Sequence, residues 1–95
     1  MPFYVYILAN QQNGTLYVGR TDDLIKRTWQ HKQKLMKGFS SRYGVDKLVY
    51  FEVFDDPANM VRREKRLKTW KRDWKIALIE EKNPNWCDLY DQIIR

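Results

Sequence analysis

The sequence has few of the residues on which many catalytic and structural sites depend. Its 95 residues include one cysteine, Cys87, and one histidine, His31. A single cysteine excludes an internal disulfide and a cysteine-based zinc cluster, and it favours a reducing compartment. A lone histidine cannot share a zinc ion with other histidines. The sequence also has no glycine-rich phosphate loop, no HExxH motif and no serine or cysteine nucleophile set beside a histidine, which excludes the corresponding enzyme classes.

Long apolar runs are also missing. The first run, Phe3 to Ala9, is too short to span a bilayer and has no basic leader before it. We therefore expect a soluble, cytoplasmic protein with no membrane partner. There are no internal repeats, low-complexity segments or linkers, and a chain of this length suits one hydrophobic core. The prediction is a single domain over residues 1–95, with a core of about 3–80 and a C-terminal amphipathic helix over 85–94.

Positive charge is concentrated in one segment. The chain has a formal net charge of +6, and the segment from Arg62 to Lys75, which has eight basic and two acidic residues, accounts for all of it. A concentrated basic segment on an otherwise neutral chain indicates a polyanionic partner. A solvated helix rich in lysine is an equally good interpretation of charge alone.

Two strands and a turn are predicted at the start of the chain. Phe3 to Ala9 is typical of a central strand that is covered on both faces. Asn13-Gly14 predicts a two-residue hairpin turn, with Thr15 to Gly19 as the returning strand. In that register Tyr17 pairs with Asn10. Because side chains alternate along a strand, one face then carries Tyr4, Tyr6, Tyr17 and Gly19.

The remaining patterns complete an α+β fold. They predict a helix from Asp22 to about Lys37 capped by Thr21 and ended by Gly38, a strand over 47–54, and helices over 57–68, 70–81 and 85–94. The expected architecture is a three-stranded antiparallel β-sheet flanked by helices, in the order β-β-α-β-α-α plus the short C-terminal helix. The C-terminal stripe that begins at Trp86 is most simply a lid on the core; a docking face is the alternative. The basic and aromatic residues of the loop over 38–46 suit nucleic-acid contact, and a loop pinned in the core by Phe39 and Tyr43 is the alternative. The role of Arg42 stays open.

Several polar side chains are expected to converge near the end of the second strand. Arg27 and His31 are four residues apart and share one helix face. Glu64 lies at helical spacing from Met60 and Leu67, so it faces inward. A buried carboxylate needs a cation partner or a metal ion. An ion pair with Lys68, four residues further on, is the simpler alternative.

This set of residues matches metal-assisted cleavage of a phosphodiester. A hard cation such as Mg²⁺ can be held by one carboxylate, with water and substrate oxygens completing its shell. A guanidinium stabilises the charge that develops on the phosphate, and a tyrosine near cations can act as the general base.

The motifs resemble the GIY-YIG nuclease domain. The resemblance rests on Val5-Tyr6-Ile7, on Tyr17-Val18-Gly19, and on Arg27, His31 and Glu64 at matching positions, and it covers Phe3 to about Ile79. It is nearest to the small single-domain bacterial members of predicted endonuclease function. Tyr4 departs from the usual glycine of the first motif half, and Val18 replaces isoleucine.

The resemblance implies roles for individual residues. Tyr17 would be the base, assisted by Tyr6 or His31, with Arg27 on the scissile phosphate and Glu64 on one Mg²⁺ or Mn²⁺ ion. The family pattern includes an asparagine near the C-terminal end of the domain, which is Asn83 here, with Asn85 as the alternative. Other DNA contacts are expected from the basic segment and its surroundings. The residues expected to contact DNA are Arg20, Arg42, Arg63, Arg66 and Asn83.

The prediction is therefore a divalent-metal-dependent endonuclease that acts on DNA in repair or processing. No accessory DNA-binding domain is visible, so cleavage is expected to be selective for structure rather than sequence, unless a protein partner directs it. Two alternatives remain open: a catalytically weak nucleic-acid-binding module or partner-directed subunit of a repair assembly, and a structural protein that docks through its C-terminal stripe.

Overall fold

The computed structural model describes residues 2–35, 38 and 43–95. Its three strands form an antiparallel sheet in the order β2-β1-β3. β1 is central as predicted, because its run from Val5 to Ala9 is fully buried between covering layers on both faces. The α+β fold is thereby confirmed. The elements are β1 Phe3–Ala9, β2 Leu16–Thr21, α1 Leu24–Lys32, β3 Lys47–Phe54, α2 Pro57–Thr69, α3 Arg72–Lys82 and α4 Tyr90–Ile93.

The hairpin between β1 and β2 differs from the predicted two-residue turn. Tyr6 pairs with Gly19 and Leu8 with Tyr17, which leaves a four-residue loop over 11–14. The Gly14 amide donates to the Gln11 carbonyl at 2.9 Å and closes that loop. Both loops have an even number of residues, so the faces predicted for the tyrosines are unchanged.

Two clusters of buried side chains cover the two faces of the sheet. On one face Val5, Ile7 and Val18 pack against α2 and α3. On the other face Tyr6 and Leu8 pack with residues of α1, and α4 lies against them. Strict alternation was expected in β3, but the strand shifts register opposite the Ile7–Leu8 step, and this bulge places Leu48 in the Tyr6 cluster.

Helix ends differ from the predictions where side chains bind nearby backbone. The cap of α1 is Asp23 rather than Thr21, since the Asp23 carboxylate accepts from the Lys26 amide at 3.1 Å. α1 ends at Lys32, five residues early, and Lys34 has a positive φ of 58°. Within the described residues, no helix has the length and apolar character that crossing a bilayer requires.

The C-terminal helix is much shorter than predicted. Only Tyr90–Ile93 is helical. Before it the chain runs along the outer edge of β3, where the Leu89 amide donates to the Leu48 carbonyl at 2.7 Å and the Asp88 carboxylate accepts from the Leu48 amide at 3.2 Å. These contacts to β3 replace helical hydrogen bonds in the segment over 84–89.

Candidate active site

Three aromatic side chains meet beside β2, an edge strand of the sheet. The Tyr6 hydroxyl and His31 Nε2 are 3.1 Å apart and buried. The ring centroids of Tyr17 and His31 are 5.3 Å apart, and those of Tyr6 and Tyr17 are 6.3 Å apart. β1 supplies one phenol, β2 the other and α1 the imidazole. The predicted shared face of the two tyrosines, with His31 directed at it from the first helix, is therefore the arrangement observed.

Gly19 gives the two phenols the space they occupy. Its partner across the strands is Tyr6. A Cβ built on Gly19 would lie 2.5 Å from both Cζ and the hydroxyl oxygen of Tyr6, and 3.0 Å from Cε1 of Tyr17. The Tyr6 ring is fully buried and has no room to withdraw. A side chain at position 19 would therefore displace the phenol, so the aromatic cluster requires glycine there.

Burial determines the protonation states in the cluster. It raises the pKa of Tyr6 well above the usual value, with a further rise from Tyr17, while the charge and hydrogen bond of Arg27 oppose the shift. Burial also lowers the pKa of His31 to about 4, and the positive charge of Arg27 adds to this effect. At neutral pH both groups are uncharged. Arg27 is half-buried one helical turn before His31, and it is the cation whose charge affects the pKa of both groups.

Glu64 lies on the α2 side of the same edge and is 5% exposed. Arg20 Nη1 lies 2.7 Å from its Oε1, and Lys68 Nζ lies 3.1 Å from its Oε2. The predicted inward orientation is confirmed, and so is the ion pair with Lys68; Arg20 of β2 is a second cation partner. Two cations therefore pair with this buried carboxylate.

The aromatic cluster and Glu64 approach each other across β2 from opposite faces. Arg20 pairs with Val5 and so points to the α2 face, whereas Gly19 pairs with Tyr6 on the α1 face. In the described part of the chain, no fourth strand pairs with β2 on its outer side. The negative charge of Glu64 contributes to the raised pKa of Tyr6, so the two halves interact electrostatically. The site therefore straddles an open strand edge, where an extended polyanion has access from outside.

Comparison with known protein families identifies the family of this chain. The model of the GIY-YIG catalytic domain matches residues 2–77. The chain belongs to the GIY-YIG family. The resemblance expected from the motifs is confirmed, and this GIY-YIG domain is of the nuclease type.

Relatives of similar size support the assignment. The chain is 33% identical to a UPF0213 protein of Staphylococcus saprophyticus over 82% of its own length and 94% of the relative's. It is 36% identical to one of Clostridium perfringens over 84% of its own length and 85% of the relative's. The solution NMR structure of a UPF0213 protein from Bacillus halodurans has a TM-score of 0.55 to this chain at 29% identity, with 87% of each chain covered. The structure from Bacillus halodurans shares the fold of this GIY-YIG domain.

The donor set of the GIY-YIG site suits one hard cation. Among the residues that the structure describes, no group of three histidine, cysteine, aspartate or glutamate side chains could enclose a metal ion. Glu64 offers one buried carboxylate beside the edge of β2. Mg²⁺ characteristically binds one or two protein carboxylates and completes its octahedron with water and substrate phosphate oxygens. Glu64 therefore fits a Mg²⁺ or Mn²⁺ ion, and it does not fit Zn²⁺, which needs several protein ligands.

Arg63 has an internal partner that the sequence pattern did not reveal. Its guanidinium donates from Nε and Nη2 to the two carboxylate oxygens of Glu52, at 2.9 and 2.8 Å, and lies 5.0 Å from the Trp70 ring centroid. Tyr50 also donates to Glu52. This network joins α2 to β3. These contacts use Nε and Nη2 of Arg63, and the phosphate contact expected of this residue stays a prediction.

The other residues expected to contact DNA are Arg66, Asn83 and Arg42. Arg66 is exposed on α2. Asn83 is 6% exposed and donates to the carbonyls of Val49 and Cys87 at 3.0 and 2.9 Å, while its Oδ1 accepts from the Cys87 amide at 2.9 Å. Its amide group is thus used in holding the C-terminal segment. Arg42 lies outside the described residues.

Proposed function

We propose that this GIY-YIG domain is a divalent-metal-dependent endonuclease that hydrolyses phosphodiester bonds of DNA. The observation that supports it best is the buried Glu64 carboxylate, which lies at the same open strand edge as the phenol–imidazole cluster of Tyr6, Tyr17 and His31. A carboxylate metal ligand, a tyrosine base and arginines can together supply the Lewis acid, the proton acceptor and the charge stabilisation that phosphodiester hydrolysis uses.

Each residue has a role in the proposed reaction. Tyr17, at the outer strand, takes the proton of the attacking water as the oxygen–phosphorus bond forms and the bond to the leaving oxygen breaks. Tyr6 and His31 are hydrogen-bonded to each other, and together they hold the Tyr17 ring in place. Arg27 binds the non-bridging oxygens of the scissile phosphate. Glu64 would hold the cation, which supplies Lewis-acid stabilisation of the phosphate charge when bound.

We further propose selectivity for DNA structure rather than sequence, in repair or processing, and action in the cytoplasm. Arg20 and Arg66 would contact backbone phosphates, which carry no sequence information. A protein partner that directs the domain to its target is part of this proposal. The exposed thiol of Cys87 suits a reducing compartment. Asn83 enters the proposal as a structural residue, given its three backbone contacts.

Cleavage of supercoiled and branched DNA in Mg²⁺ or Mn²⁺ tests the reaction. We expect Glu64→Gln and Arg27→Gln each to lower the rate by about 10²-fold or more, because each removes a charge that stabilises the transition state. Glu81→Gln and Lys26→Gln change exposed residues on α3 and α1 and serve as matched controls. Equal cleavage by all variants would identify a contaminating nuclease. Binding that weakens steeply with salt, without any cutting by the wild type, would favour the binding module instead.

A further inference from the structure

A second basic site lies at the tip of the β1–β2 hairpin. The four-residue loop and the first turn of α3 enclose a cleft of about 520 Å³. Arg72 and Lys75 of α3 line one wall, and the opposite wall is formed by the hairpin. The hairpin residues that line the cleft are Asn10, Gln11, Asn13, Gly14, Thr15 and Leu16.

Among the described residues, neither of the two cations in this cleft pairs with a carboxylate. Arg72 donates to the carbonyl oxygens of Asn13 and Gly14 at 2.6 and 2.5 Å, which are neutral acceptors. Lys75 is partly buried, and burial together with the adjacent Arg72 lowers its pKa. None of the described residues that line the cleft is acidic, and in the described part of the chain neither cation has a carboxylate within 4.0 Å.

Such an arrangement is costly without an anion. Two like charges crowd each other, and a partly desolvated ammonium gains stability only when a counter-charge reaches it. The surrounding wall is polar and uncharged, so it accommodates an oxyanion without repelling it. The ligand class that fits is a phosphate group, which accepts several hydrogen bonds from arginine and lysine at once.

We propose that this hairpin cleft, defined by Arg72 and Lys75, binds a backbone phosphate of the DNA strand held at the active site. The inference rests on the proposed nuclease function. Leu16 lines the cleft and Arg20 contacts Glu64, and both belong to β2. At roughly 3.3 Å per residue, those positions are about 13 Å apart, and a nucleic-acid strand carries a phosphate about every 3.4 Å of helix axis. One strand running along the β2 edge therefore reaches both sites, about four nucleotides apart.

Binding without cleavage tests the cleft. A fluorescein-labelled duplex is titrated in EDTA at several salt concentrations and followed by anisotropy. We expect Arg72→Gln/Lys75→Gln to reduce the slope of log K against log salt by about two and to weaken binding about tenfold or more at low salt. Lys34→Gln/Lys82→Gln removes the same charge from exposed positions outside the cleft and should change the slope by less than about half a unit. Equal slopes for the two double variants would overturn the proposal.

Two further measurements separate the outcomes. Lys75→Gln alone leaves the Arg72 contacts to the hairpin in place, so a slope reduced by about one in that variant supports the site independently of folding. Inorganic phosphate is titrated by calorimetry at constant ionic strength. If phosphate binds the wild type but not the double variant while their DNA slopes agree, the cleft is a free-phosphate site and the backbone assignment is wrong. Since EDTA prevents metal-dependent cleavage, this result is independent of whether Glu64→Gln lowers nuclease activity.

Discussion

Glu64 has two cations as partners before any metal ion arrives. Arg20 and Lys68 occupy one carboxylate oxygen each. A hydrated divalent cation would compete with both of them for the Glu64 carboxylate. Lys68 is the weaker partner, because its contact is longer and its side chain is about half exposed, and an exposed pair of this kind contributes only about 0.2–1 kcal/mol. We infer that a metal ion on Glu64 would displace Lys68, while Arg20 would remain near the substrate.

Removal of Lys68 should therefore tighten metal binding. We expect Lys68→Met to lower the Kd for Mn²⁺ by about two- to fivefold, as follows from the energy of an exposed ion pair. The free Mn²⁺ signal in electron paramagnetic resonance measures this without any turnover. Lys65→Met is the matched control, since Lys65 is exposed on the same helix and makes no ion pair in the described structure. The idea fails if the two variants bind Mn²⁺ equally well.

His31 should make the stability of the fold depend on pH. Its pKa is about 4 in the folded protein and about 6.5 in an unfolded chain. Below pH 6.5 His31 binds a proton in the unfolded chain but stays neutral in the folded protein. The free energy of unfolding therefore falls as the pH decreases towards 4. Between pH 7 and pH 5 the free energy of unfolding should drop by about 2 kcal/mol at most.

Urea denaturation at pH 7, 6 and 5 measures that change. His31 is the only histidine of the chain, and the carboxylates titrate mainly below this range. His31→Gln should remove most of the pH dependence, whatever its effect on stability at pH 7. The same decrease in wild type and variant would mean that another group takes up the proton.

Sequence reasoning succeeded for residues whose position follows from local periodicity. The shared face of Tyr6 and Tyr17 follows from strand alternation, and the inward orientation of Glu64 from helical spacing. It did not indicate the Glu52 partner of Arg63, because Glu52 lies in β3 and reaches Arg63 only through tertiary packing. The ion pair between Arg20 and Glu64 joins residues 44 positions apart, so local spacing could not predict it either.

At the scale of secondary structure, strand positions were easier to predict than helix ends. β1 and β3 have the predicted bounds, because long apolar or alternating runs define a strand along its whole length. Helix ends depend instead on single side chains that compete for a few backbone groups. Asp23 takes the capping role from Thr21, and Asp88 holds part of the predicted last helix against β3.

The connection between α3 and α4 depends on one amide side chain. Asn83 bonds to Val49 and twice to Cys87, and so fixes the turn that follows α3. We expect Asn83→Ala to lower the free energy of unfolding by about 2–4 kcal/mol, because buried backbone groups lose their partners. Chemical denaturation measures this.

Asn85→Ala provides the comparison. Asn85 is exposed two residues further on, and its replacement should change stability by less than about 0.5 kcal/mol. The same pair of variants also tests the DNA-contact role expected for Asn83. If Asn83→Ala kept wild-type stability but lost cleavage, the structural role argued here would be wrong and a contact to substrate would take its place.

Over the whole molecule, positive charge opposes folding. The segment from Arg62 to Lys75 holds the entire net charge of +6 on two consecutive helices, and Glu52 and Glu64 neutralise only a few of its cations. Crowded like charges destabilise a compact state, although they attract a polyanion and speed its association. The basic residues of this segment therefore lower the stability of the free protein but favour its association with nucleic acid.

A charge reversal within this segment should therefore stabilise the free protein and weaken its complex with DNA. Arg66 is exposed one turn after Arg62, so in Arg66→Glu a repulsion becomes an attraction. We expect the melting temperature to rise by about 2–4 °C in 20 mM salt, and the gain to disappear in 0.5 M salt, where screening is nearly complete. Lys34→Glu makes the same change in net charge outside the segment and should leave the melting temperature within about 1 °C. Calorimetry at both salt concentrations measures the effect, and anisotropy with a labelled duplex measures affinity. A lower melting temperature for Arg66→Glu, or a gain that persists at high salt, would show that self-repulsion does not limit the stability of this fold.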